Sequence, residues 1–121
     1  MSIEKKSFVI RSKIWIEDEH GDVVFGHGRY RILEAIERFG SLQGAAKDLK
    51  MSYRALWGRV KASEERLGQS LVTREGRGSR LTPFALQLMA RYRELQNRIH
   101  HESEVVYSNL ISNHLDTIQN K

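Results

Sequence analysis

Seven basic side chains fall between Arg54 and Arg80: Arg54, Arg59, Lys61, Arg66, Arg74, Arg77 and Arg80. Only Glu64, Glu65 and Glu75 oppose them, so this stretch holds four of the chain's five surplus positive charges. A guanidinium grips a phosphate, or the O6/N7 edge of guanine, through two parallel hydrogen bonds, and a lysine meets phosphate as a point charge. The chemistry on offer is recognition of a polyanion. A solvated basic surface would give the same count, so the spacing must discriminate.

The chemistry of catalysis is not visible. The histidines are His20, His27, His100, His101 and His114, and no nucleophile stands beside a paired base. His100, His101 and Glu102 are consecutive, and neighbours on a helix point in different directions, which makes a poor metal site. The chain has no cysteine, which excludes disulfides and thiolate ligands and fits a cytoplasmic location. No catalytic residue, metal or cofactor is expected. No apolar run approaches a membrane span, and MSIEKKSFVIRSK lacks an apolar signal region. The pI of about 9.7 lies in the range of nucleic-acid binders. At 121 residues, 40% of them hydrophobic, the chain has enough for one compact domain and an extension.

The elements that must position the basic residues follow from periodicity. Phe8, Ile10, Ile14 and Ile16 alternate with Arg11, Lys13 and Glu17, which predicts a strand. EDEHGD turns the chain and VVF returns it, a β-hairpin over residues 8–25. From Arg29 the period becomes helical, with Ile32, Leu33, Ile36 and Phe39 on one face and Gly40 as the stop. Ser41 caps a second helix, LQGAAKDLK, and Lys50-Met51 is a short turn. Ser52 caps a third helix that Gly68 ends. LVTR, EGRGS and RLT form a second hairpin whose basic tip takes positive φ at Gly76 and Gly78. Thr82-Pro83 starts a long helix.

This order predicts a mainly α protein with small β-hairpins: a winged helix-turn-helix preceded by a hairpin and followed by a long helix. Residues 1–82 are expected to form the winged domain, with the helix-turn-helix at 41–67 and the wing at 71–82. Residues 83–121 are expected to carry the long helix and a tail. In such a motif the second helix enters the DNA major groove. On a wheel of about 100° per residue, Leu56, Val60, Ser63 and Leu67 face the core, and Arg54, Gly58 and Lys61 lie opposite. Trp57 falls on the border, where it either packs or meets DNA. Tyr53 sits in the first turn with its hydroxyl free to point outward. Gly58 removes bulk where the helix would approach DNA. The candidate DNA-binding residues are Ser52, Tyr53, Arg54, Trp57, Lys61, Arg74, Arg77 and Arg80, with Glu75 a natural partner for a neighbouring arginine. Leu88, Tyr92, Leu95 and Ile99 have the spacing of a helix–helix seam, which either joins two copies or covers the chain's own core. Val106, Leu110, Ile111, Leu115 and Ile118 could extend a face in the tail.

GRYRILEAIERFGSLQGAAKDLKMSYRALWGRVKASEERLGQSLV resembles the N-terminal DNA-binding domain of ModE-type molybdate-dependent transcriptional regulators. The likeness includes GSLQGAAKDLKMSY, the tryptophan of RALW, the hairpin KIWIEDEHGDVVFGHGR and LTPFALQLM–RY, and covers residues 8–100. GSLQGAAKDL with EERLGQSLVTREGRGSRLTPFA is equally similar to LysR-type regulators. The resemblance implies a cytoplasmic regulator that dimerises through a long helix and reads a roughly palindromic duplex operator. It carries over to Ser52, Tyr53, Arg54, Trp57, Arg77 and Arg80. The wing EGRGS is shorter than the glycine-rich wing of ModE-type proteins, and the chain stops where their oxyanion-binding domains would begin. Direct molybdate sensing is therefore not expected, and a signal would arrive through a partner. The competing expectation is a winged-helix module that binds only proteins, whose exposed helix face would be apolar or acidic.

Overall fold

The computed structural model describes residues 6–115. Strands β1 (Trp15–Glu17) and β2 (Val23–Gly26) pair antiparallel, with Ile16 opposite Phe25 and a bulge between Ile16 and Glu17. The Asp18 carboxylate closes the turn by accepting from the backbone N–H groups of His20 and Asp22, at 2.9 and 3.0 Å. The hairpin is shorter than the expected 8–25. Its return strand has four residues before the first helix starts at His27, so nothing earlier than Trp15 finds a ladder partner. Phe8 and Val9, read as strand residues, are exposed and unpaired in any sheet.

Helix α1 (His27–Phe39) ends where Gly40 takes a left-handed φ of 67° and donates to the Ile36 carbonyl. The Ser41 hydroxyl accepts from the Gly44 N–H and starts α2 (Leu42–Asp48). Lys50 turns the chain with a φ of 56°, and the Ser52 hydroxyl accepts from the Ala55 N–H to start α3 (Tyr53–Leu67). Gly68, again left-handed, stops it. Strands β3 (Val72–Glu75) and β4 (Gly78–Leu81) pair antiparallel around a two-residue loop, Gly76-Arg77. Helix α4 runs from Pro83 to Tyr107, and one π-helical turn, Ser108–Ser112, follows it.

Packing divides the chain into two units. One is Ile14–Tyr92; the other joins the residues up to Lys13 with those from Arg93 onward. In the first, Phe25, Ile32, Leu33, Ile36, Leu56, Val60 and Leu71 are enclosed, and Leu81, Ala85, Met89 and Tyr92 complete the core. Tyr92 meets Phe25 edge-on at 5.2 Å, lies beside Tyr30, and donates from its hydroxyl to the Ile14 carbonyl at 2.9 Å. Burial raises its phenol pKa. Tyr92 is thus a core residue of its own chain, 2% exposed, and not part of an exposed seam. Leu88 is half-buried against the same core. Leu95 and Ile99, in the second unit, are open to solvent. In that unit Val106, Leu110 and Ile111 are also exposed and Leu115 is half-buried; Ile118 lies outside the described residues.

Candidate nucleic-acid interface

The site is built on α3. Leu56, Val60 and Ser63 bury its inner face, which forces Arg54, Gly58 and Lys61 outward. Four residues, Leu49–Ser52, separate α2 from α3, too few for an antiparallel return, so the helices cross. The far half of α3 is tied to the wing. Glu64 accepts from the backbone N–H groups of Leu71 and Val72, at 2.7 and 3.2 Å. One of the three acids in the basic stretch is therefore committed to structure.

The wing is fixed at both ends. At its base the Thr82 hydroxyl donates to the Ser70 carbonyl and accepts from the Ala85 N–H, so one side chain closes the hairpin and caps α4. At its tip the Ser79 N–H donates to the Gly40 carbonyl at 2.9 Å. Only Gly76 of the two tip glycines has positive φ, 58°, the pattern of a type II′ turn. Gly78 serves a different end from the one expected. A Cβ there would collide with the Gly40 carbonyl, so the glycine lets the wing dock on the end of α1.

Between these elements lies an open cleft of about 460 Å³. The start of α2 (Ser41, Leu42, Gln43), Tyr53 and Trp57 of α3, and the wing (Val72, Thr73, Arg74, Arg77, Gly78, Ser79) line it. Two arginines face this space and no carboxylate does. Tyr53 is 47% exposed here. Trp57 is half-buried against the core and also lines the cleft. Lys61 lies 5.3 Å from the centre of the Trp57 ring and 3.6 Å from Glu64.

The expected arginines separate into two groups. Arg54, Arg74 and Arg77 are exposed and none has an ion pair among the described residues. Arg80 is paired with Glu75, at 3.1 and 3.2 Å to its two carboxylate oxygens, and does not line the cleft. Strand alternation explains this: Arg80 stands opposite Thr73, on the ribbon face that also carries Glu75, while Arg74 shares the other face with Val72 and Leu81. Gln43, an exposed side chain in the cleft wall, is absent from the expected set. Its signal was its place in the first turn of the helix that crosses the DNA backbone in such motifs.

Residues 28–86 match the family model described as bacterial regulatory helix-turn-helix protein, lysR family. That segment is a LysR-type helix-turn-helix domain. The LysR-type domain is also similar to curated relatives. The molybdenum transport protein ModE of Azotobacter vinelandii is 38% identical over 73 residues, which cover 56% of this chain and 27% of that protein. The molybdenum-pterin-binding protein MopB of Rhodobacter capsulatus is 38% identical over 72 residues, 55% of this chain and 27% of that one. The chain thus spans about a quarter of the length of these relatives. The crystal structure of a complex of the CbnR DNA-binding domain with DNA matches with a TM-score of 0.56 and 21% identity, over 70% of this chain and 98% of that one, and shows the same fold. No helix among the described residues is long and apolar enough to cross a membrane.

Proposed function

We propose that this chain is a DNA-binding transcriptional regulator of the LysR/ModE type that engages duplex DNA with the outer face of α3 and the wing. The observation that carries the reading is the cleft itself: Arg74 and Arg77 face it with no carboxylate in its wall, beside an α3 face that presents Arg54. Arg54 takes a base edge or a phosphate, and Ser52 and Tyr53 contact DNA from the first turn of α3. Arg74 and Arg77 take backbone phosphates. Trp57 supports Lys61, which reaches phosphate from its position over the ring. Arg80 contributes only when it leaves Glu75. The protein acts in the cytoplasm.

The operator is read as a homodimer. Leu95, Ile99, Val106 and Leu110 are exposed at helical spacing, and an apolar groove of about 370 Å³ runs past Ile10, Ile99, Val106 and Ile111. A second copy supplies the matching face. With Arg54, Lys61, Arg74 and Arg77 on each protomer, the salt dependence of binding has a log–log slope of roughly −7 for eight phosphate contacts. Fluorescence anisotropy with a duplex between about 50 and 200 mM salt measures it. Absence of duplex binding at the lowest salt would refute the function.

A further inference from the structure

One group of charges is left over from the DNA-facing surface. Arg59 and Arg66 are seven residues apart on α3, hence on one flank, about two turns from each other. That flank lies on the opposite side of the helix from Tyr53, Trp57 and Glu64, which face the wing. The Arg66 guanidinium donates to the Val23 carbonyl of β2 at 2.6 Å, which holds it at the sheet edge with its other N–H groups uncommitted. Arg29, in the first turn of α1, is half-buried, and its enclosed Nε finds no acceptor within the chain. None of the three has an ion pair among the described residues. The start of α1 adds to the field. Its cap, Gly26, offers no side-chain acceptor, and no acid stands in its first turn. The N–H groups of a 13-residue helix are therefore left open beside Arg29, and Gly28 leaves free space there.

We propose that Arg29, Arg59, Arg66 and the N-terminus of α1 form a binding site for a phosphate-class oxyanion. Burial, and then the charges of Arg59 and Arg66, hold the Arg29 guanidinium below its ordinary pKa, the mark of cations gathered without a counter-ion. The carboxylate of Asp18, which feels Arg66 weakly, is taken up by the N–H groups of Asp22 and His20. A tetrahedral oxyanion would give the Arg29 Nε its missing acceptor, bridge the two α3 arginines and face the open helix end, as anions do at helix N-termini. The same chemistry is available from a free phosphate and from a phosphate of the DNA backbone.

The test uses the whole chain without DNA. Thermal unfolding is followed in inorganic phosphate and in chloride of equal ionic strength and pH. The midpoint should rise with phosphate and saturate, by roughly 5 °C at ten times the dissociation constant. Arg59→Gln changes an exposed side chain and leaves the fold intact; Arg29→Lys keeps the charge and deletes the Nε donor. Each should weaken phosphate binding about tenfold. Equal midpoints in the two salts would overturn the site. So would a rise that never saturates and persists in both variants, because phosphate stabilises folded proteins generally by exclusion from their surface. The source is then assigned with duplex. Competition beyond that of matched chloride, with weaker duplex binding by Arg59→Gln, identifies the occupant as a backbone phosphate; independent binding identifies a free anion.

Discussion

Gly58→Ala separates the stability of α3 from its use. The position lies inside a 15-residue helix, exposed, between Arg54 and Lys61 on the outer face. A Cβ built there meets no atom within 4 Å. The substitution therefore costs nothing in packing and removes the helix penalty of glycine, about 0.8–1 kcal/mol. For a unit of this size that raises the unfolding midpoint by about 4–8 °C. Bound to DNA, the same face meets the groove, and an added methyl in a close-packed contact costs about 1–3 kcal/mol. Duplex affinity should fall roughly 5- to 150-fold. Urea unfolding with an unchanged m-value reads the first effect, and anisotropy at fixed salt reads the second. A mutant that is more stable and binds equally well would refute the apposition of this face to DNA. A mutant that is less stable would refute the open helical environment of Gly58.

The wing ion pair makes a second prediction. Arg77→Ala should weaken duplex binding more than Arg80→Ala, and Glu75→Gln, which frees Arg80, should tighten it; parallel anisotropy titrations decide the order. Tyr92→Phe deletes a half-enclosed hydrogen bond to Ile14 and should cost about 1 kcal/mol of stability with no change of oligomeric state, measured by urea unfolding and sedimentation. The double variant Leu95→Glu/Ile99→Glu should sediment as a monomer at micromolar concentration while Ile14–Tyr92 keeps its stability; an unchanged sedimentation coefficient would place the dimer contact elsewhere.

Two errors of the sequence reading show where pattern alone misleads. Tyr92 has the spacing of a seam with Leu88, Leu95 and Ile99, because i, i+4 and i, i+7 periodicity reports a shared face and not what covers it. The cover is supplied by Phe25, Tyr30 and the Ile14 carbonyl, the last 78 residues away in the chain. The alternation from Phe8 to Ile16 has the form of a strand, yet a strand exists only with a partner, and β2 ends after four residues.

What the amino-acid sequence determined by itself was the succession of helices and their ends. Ser41, Ser52 and Thr82 cap with hydroxyls that accept from N–H groups three residues on, and Gly40 and Gly68 stop helices at φ of 67°. These are interactions within one turn, so the local order of residues suffices to produce them. The outward set on α3 was legible for the same reason, since one helix has one periodicity. Tertiary structure decided which cations are available and which glycine does what. Arg80 is held by Glu75 while Arg74 faces the cleft, Gly78 serves the approach of the wing to Gly40, and Arg29 meets Arg59 and Arg66. Each of these depends on strand register or on contacts between distant segments, and a charge carries no mark in the sequence of the partner that will neutralise it.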